Sequence, residues 1–151
     1  MTSKLSIQEL AKCADCACFN IRKASRVVTQ VYEELMTTTG LRGTQFTVLV
    51  MVAAYNTMTI SFLADKLVMD RTTLTRTLKP LEKNGLIEIV AGEEDRRTRV
   101  VKVTEAGHEM LTIAMPLWRK GQEKIVKFMG EDRFGHLLSE LHSLEKIADT
   151  K

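Results

Sequence analysis

In the first third of the chain, apolar residues recur at alternating intervals of four and three: Leu10, Ala14, Ala17, Ile21, Ala24, Val28, Val31 and Leu35. Lys12, Asp15, Asn20, Lys23, Gln30 and Glu33 occupy the other side. This is the seam of a long amphipathic helix. A helix over 6–38 would run roughly 50 Å at 1.5 Å per residue. A small core does not need that length, so part of the seam must be covered by another element or another chain. Thr37-Thr38-Thr39-Gly40 ends the pattern, with Gly40 suited to a left-handed turn.

Residues 44–54 are almost wholly apolar and read as a buried helix with Thr44 as its cap. Asn56-Thr57 breaks it. A short helix over 60–68 follows, capped by Thr59, with Ile60, Leu63, Ala64 and Leu67 on one face. Asp70 caps the next, over 71–84, whose inner stripe is Leu74, Leu78 and Leu81 and whose stop is Gly85. Pro80 falls inside it and predicts a distortion near 76–81.

The period then changes. Residues 86–90 and 99–103 are β-branched and partly alternating, and the charged stretch 91–98 between them makes a hairpin. Thr104 caps a helix with Leu111, Met115, Trp118, Ile125 and Phe128 as a rough stripe. Gly130 interrupts, and Phe134, Leu137, Leu141, Leu144 and Ala148 define a last helix. The fold class is mainly α with a small β-hairpin wing. A winged helix-turn-helix over 44–103 is flanked by dimerisation helices over 1–43 and 104–151.

Composition adds little by itself. The 151 residues suffice for one compact unit, with 44% hydrophobic and 27% charged residues. No apolar run approaches the roughly 20 residues a membrane span requires. Met1 to Lys12 lacks the apolar core of a signal peptide, so a cytoplasmic location is expected. Net charge is only +3, but Arg71, Arg76, Lys79, Lys83, Arg96, Arg97, Arg99 and Lys102 crowd into one fifth of the chain.

With the leucines of 71–84 turned inward, Arg71, Thr72, Thr73, Thr75, Arg76 and Lys79 are left outside, and Ser61 on the preceding short helix joins them. Such a helix suits the major groove of DNA: threonine meets a thymine methyl or a phosphate, and arginine grips guanine through two bonds. Arg96 and Arg97 at a hairpin tip suit a narrow minor groove. Acidic Glu93, Glu94 and Asp95 beside them fit if Asp95 pairs with an arginine and fixes its direction. A merely solvated hairpin tip is the plainer alternative.

The hairpin run Asp95-Arg96-Arg97-Thr98, then Val103-Thr104-Glu105-Ala106-Gly107, preceded by Leu81-Glu82-Lys83-Asn84-Gly85-Leu86-Ile87, resembles the MarR (multiple antibiotic resistance regulator) family. The likeness extends upstream through Leu41-Arg42-Gly43-Thr44-Gln45-Phe46 and covers nearly the whole chain. Where the family often opens the loop with Asp-Pro, this chain has Gly92-Glu93. The resemblance implies a homodimer on a pseudo-palindromic operator in double-stranded DNA. It also implies that Arg97 enters the minor groove with Asp95 orienting it, and that Arg96 contacts a phosphate. Such proteins usually repress, and release DNA when a small aromatic effector changes the spacing of the two lobes. Candidate lining residues are Phe19, Arg22, Arg26, Phe46 and Met51, although Phe19, Phe46 and Met51 also read as ordinary core.

Cys13, Cys16 and Cys18 are too few and too crowded for a secreted disulfide framework. On a continuous helix Cys13 and Cys16 share a face, with Cys18 rotated away. Packing at a helix–helix interface is the first reading and oxidant sensing the second. A metal shared between subunits is the third; no metal or other cofactor is assigned. An enzyme is disfavoured, because hydrolase, phosphate-loop and dinucleotide fingerprints are missing and His108, His136 and His142 are scattered. A module that interacts only with other proteins would leave the basic helix and arginine-tipped hairpin unexplained.

Overall fold

A computed structural model describes residues 5–150. The helices are α1 (Ile7–Ala11), α2 (Ala17–Met36), α3 (Gly43–Tyr55), α4 (Ile60–Lys66), α5 (Arg71–Lys83), α6 (Glu105–Met129) and α7 (Glu131–Glu145). The strands are β1 (Thr57–Thr59), β2 (Ile87–Ala91) and β3 (Arg99–Val103). Single 3₁₀ turns follow α1, α2 and α7.

The expected long first helix is broken. Cys16 is extended (φ −65°, ψ 122°) and stands before α2 as its cap residue. The Asn20 amide holds the break by donating to the carbonyl oxygens of Ala14 (2.7 Å) and Cys16 (3.0 Å). A side chain competing for backbone carbonyls is the usual way a polar residue ends a helical run. Cys13 and Cys16 therefore do not share a helical face. Thr44 is not the cap of α3 either. The helix starts at Gly43 with Arg42 in the cap position, two residues earlier, and the Gln45 side chain accepts from the Arg42 amide at 2.9 Å.

The remaining caps match the residues the sequence points to. The side chains of Thr59, Asp70 and Thr104 accept from the amides of Phe62, Thr73 and Gly107. α5 runs through Pro80 as one helix and ends in a six-residue hydrogen-bonded turn. There the Leu86 amide donates to Leu81 and the Gly85 amide to Glu82, each at 2.9 Å. Gly85 carries φ +69°, which a residue with a Cβ adopts only at a cost.

β1 is an element the sequence pattern does not announce. The sheet has three antiparallel strands in the order β1-β3-β2, with Met58 opposite Val101 and Ile89 opposite Val101 on the other side. Met58, Ile87 and Val101 turn inward from it. The core also takes Phe46, Val48, Leu49 and Val52 from α3, Leu63 from α4 and the three leucines of α5. Met36 at the end of α2 and Ala114 in α6 belong to the same cluster, so the winged lobe is seated on the terminal helices. α2 and α6 meet where Tyr32 donates to Gln122 (2.7 Å) and buried Gly121 admits the Tyr32 ring.

The rest of the terminal helices has little to hold it within one chain. α1 and α7 contain no buried residue, and α2 contains only Met36. Phe128 is 88% exposed and Ile7 86%.

Candidate nucleic-acid interface

α4 and α5 are joined by the tight turn expected of a helix-turn-helix. It closes through Met69, whose amide donates to the Ala64 carbonyl (2.9 Å). Val68 occupies the left-handed position with φ +50°, unusual for a β-branched residue. The turn sets α5 with Leu74, Leu78 and Leu81 in the core and Arg71, Thr72, Thr75, Arg76 and Lys79 exposed.

Hydrogen bonds divide the α5 residues into two groups. The half-buried Thr73 donates its hydroxyl to one Asp70 carboxylate oxygen (2.6 Å) and its amide to the other (2.8 Å), so it completes the cap. These two bonds from Thr73, hydroxyl first, together with the Thr72 amide and the Arg76 charge, hold the Asp70 carboxyl below its ordinary pKa. The Thr75 hydroxyl is bonded back to the Arg71 carbonyl (2.7 Å), which leaves its methyl outermost. Arg71 is tied sideways to Ser61, Nη2 to Oγ 2.9 Å. Thr72, Arg76 and Lys79 have no such tether, and with the Thr75 methyl they make up the outward surface.

The wing loop spans 92–98. The Gly92 amide donates to the Thr98 carbonyl (2.8 Å) and the Thr98 amide to Asp95 (3.0 Å). A Cβ at Gly92 would lie 2.8 Å from the Asp95 carbonyl oxygen, so glycine opens this loop where the family often uses Asp-Pro. The Asp95 carboxylate accepts from the Arg97 amide at 2.9 Å. It makes no ion pair with an arginine side chain: among the described residues the ion pair formed is Lys102 with Glu93, at 3.9 Å. Asp95 therefore sets the Arg97 backbone and leaves its guanidinium, like that of Arg96, projecting from an exposed tip. Arg99, absent from the sequence-derived set, lines the same concavity as Ser61, Arg71 and Arg97. Only its place in the basic cluster hinted at this.

A separate cleft of about 600 Å³ lies between α2, α3, the α4–α5 turn and α6, lined among others by Val28, Tyr32, Arg42, Phe46, Met69 and Trp118. Of the five effector candidates only Phe46 reaches it. Phe19, Arg22 and Arg26 are exposed on α2 before Val28, the first residue of that helix to line the cleft. Met51 is half-buried against the core, a turn beyond Thr47 on α3. Burial raises the Tyr32 hydroxyl pKa. Cys13, Cys16 and Cys18 are free thiols and all exposed, so the chain's own core does not bury them. Among the described residues no three His, Cys, Asp or Glu side chains converge in a way that could hold a metal. None of the described helices is long and apolar enough to cross a membrane.

The MarR family pattern matches residues 41–98 of the chain. The M. tuberculosis transcriptional regulator MosR, solved in complex with DNA, superposes with a TM-score of 0.81 at 32% identity, covering 89% of this chain and 97% of that one. The chain belongs to the MarR family. A point mutant of E. coli MarR, solved with operator DNA, shares the fold at 20% identity and a TM-score of 0.79, over 93% of this chain and 99% of its own. The organic hydroperoxide resistance transcriptional regulator of Bacillus subtilis is 32% identical over 90 residues, 60% of this chain and 61% of that regulator's length. Membership accounts for the mostly helical architecture with its small antiparallel wing.

Proposed function

We propose that this MarR-family chain is a sequence-specific repressor that binds a pseudo-palindromic operator as a homodimer. The observation that carries it is the pairing of two surfaces on one lobe. The outward face of α5 (Thr72, Arg76 and Lys79 with the Thr75 methyl) stands next to a wing whose arginines carry no carboxylate partner. α5 would enter the major groove, where Arg76 can grip a guanine and the Thr75 methyl can meet a thymine. Arg97 would enter the adjacent minor groove, with Arg96 on a phosphate. The second copy is supplied by the terminal helices, whose apolar residues one chain leaves in water. A two-fold dimer places its recognition helices about 34 Å apart, one turn of duplex.

Enrichment of bound sites from random duplexes, followed by Kd measurements on the selected site, tests this. Arg97→Ala should weaken binding to all duplexes, whereas Arg76→Ala should also relax base preference. Thr73→Val should lower stability and leave base preference alone, because its hydroxyl is committed to Asp70. Failure to enrich any inverted repeat would refute the reading. For the sign of control, a promoter carrying the selected site should be transcribed less when the protein is added.

Release would come from the 600 Å³ cleft, because its walls include both the scaffold helix α2 and the turn that sets α5. Tyr32, Phe46 and Trp118 offer aromatic walls and Arg42 a positive charge, opposed in part by Glu33, which fits a small aromatic anion. A ligand favouring one lobe spacing shifts the population toward it. Benzoates that neither bind the protein nor raise the Kd for DNA would remove this mechanism. The exposed thiols favour a second route, oxidation by a hydroperoxide to a sulfenic acid with release of the alcohol. Unchanged protein mass and unchanged DNA affinity after mild peroxide would eliminate it.

A further inference from the structure

The first residues of α4, the first turn of α5 and the base of the wing enclose a concavity of about 580 Å³. Thr59, Ser61, Arg71, Arg97, Thr98 and Arg99 line it. Three arginines thus line one small space. None forms an ion pair among the described residues; of the acids next to them in sequence, Asp70 is engaged by the Thr73 amide and hydroxyl and Asp95 by the Arg97 amide. Like charges brought together without a counter-charge repel one another, and an anion held between them converts that repulsion into attraction. Arg71 is already oriented for the task, since Ser61 Oγ accepts from its Nη2 and retains its own proton to donate.

Position supplies the identity of the anion. In the proposed complex α5 lies in the major groove and the wing tip in the adjacent minor groove. The sugar–phosphate strand that separates two neighbouring grooves must then pass between those elements, across this concavity. We infer that Ser61, Arg71 and Arg99, with Arg97 at the rim, form a seat for one backbone phosphodiester per half-site, at the strand crossing between recognition helix and wing. The inference rests on the DNA-binding reading above and refines it. Arg71 becomes an anchor for register instead of a base reader, and Arg99 becomes an anchor at the first residue of β3, where it pairs with Ala91. Phosphate contacts of this kind position a protein without carrying sequence information.

The test uses the full-length protein and its enriched operator, with a single neutral methylphosphonate walked along each strand. The wild type should lose roughly tenfold in affinity at one position per half-site. Arg99→Gln should bind the unmodified duplex more weakly and lose distinctly less than the wild type at that position. It should also flatten the salt dependence by about 0.9 per lost contact, so over two protomers the change in Kd between 50 and 200 mM salt shrinks by roughly tenfold. Arg99→Lys should recover part of both effects, the enriched base preference should not move, and equal melting temperatures would show that the variants fold. Wild-type binding with no methylphosphonate position coupled to Arg99, or a changed base preference in Arg99→Gln, overturns the seat while leaving the proposed function standing. Binding to no duplex at all defeats the DNA reading itself. Inorganic phosphate, added at constant ionic strength without DNA, provides the other arm. If it stabilises the wild type but not Arg99→Gln, and the methylphosphonate profile is flat, the seat serves a free anion and the backbone assignment is overturned.

Discussion

The Thr104 hydroxyl donates to the Gly85 carbonyl oxygen across 2.5 Å and at the same time accepts from the Gly107 amide at 3.1 Å. One side chain thus caps α6 and closes the base of the wing on the end of α5. The Thr104 amide adds a third link, to the Leu86 carbonyl at 3.2 Å. Thr104→Val keeps the shape and removes both hydroxyl bonds, so it should cost about 1–3 kcal/mol in chemical denaturation. Thr104→Ser should recover most of that loss. Gly107→Ala should be at least as damaging, because a Cβ there collides with the Leu86 carbonyl and the Val103 side chain.

Val68 holds the helix-turn-helix elbow in a left-handed conformation that its branched side chain resists. Its side chain is exposed and contributes little burial in return. Val68→Gly relieves the strain and loses some through added freedom in the unfolded chain, leaving a net gain of roughly 0.5–1 kcal/mol. Thermal denaturation with and without operator should show a higher melting temperature and an unchanged affinity.

Asp70 ties the start of α5 to acid conditions. Its folded-state pKa lies below the ordinary 3.8, mainly through the bonds from Thr73. A lowered carboxylate pKa means that its stabilising contribution is complete above the unfolded value and disappears as pH falls through the folded one. Asp70→Ala should therefore melt lower than the wild type at neutral pH. The gap should close below pH 3.8. A gap that stays constant across that range would show that the carboxylate charge plays no part in the cap.

The terminal helices leave apolar residues in water along α1, α2 and α7, including Leu10, Ile21, Leu137 and Leu144. Analytical ultracentrifugation should give twice the 17.1 kDa chain mass. Leu137→Glu combined with Leu144→Glu should shift the population to monomer and weaken operator binding steeply, since two half-sites then no longer reinforce each other.

Much of this molecule was legible before its structure, because the deciding interactions are local. Helical spacing located α3 to α7 near their observed positions. Thr59, Asp70 and Thr104 were readable as caps because a cap bonds an amide three residues away. Gly85 was readable because only backbone sterics are involved. The outward basic face of α5 and the arginine tip of the wing followed from the same periodicities.

What tertiary structure decided was everything that depends on distant partners or competing bonds. β1 is three residues long and forms only against β3, with Thr57 opposite Lys102, so no local period betrays it. The break at Cys16 depends on which carbonyls the Asn20 amide reaches, and an unbroken apolar seam hides that. Ser61 and Arg71 met across a turn, and Arg99 reached the same concavity from a strand far along the chain. The cleft between α2, α3 and α6 lies at Val28 and Trp118 and not at Phe19, Arg22 or Arg26, because its walls come from three helices far apart in the chain. Sequence periodicity reports which side of an element is apolar; which neighbour covers that side is settled by packing in three dimensions.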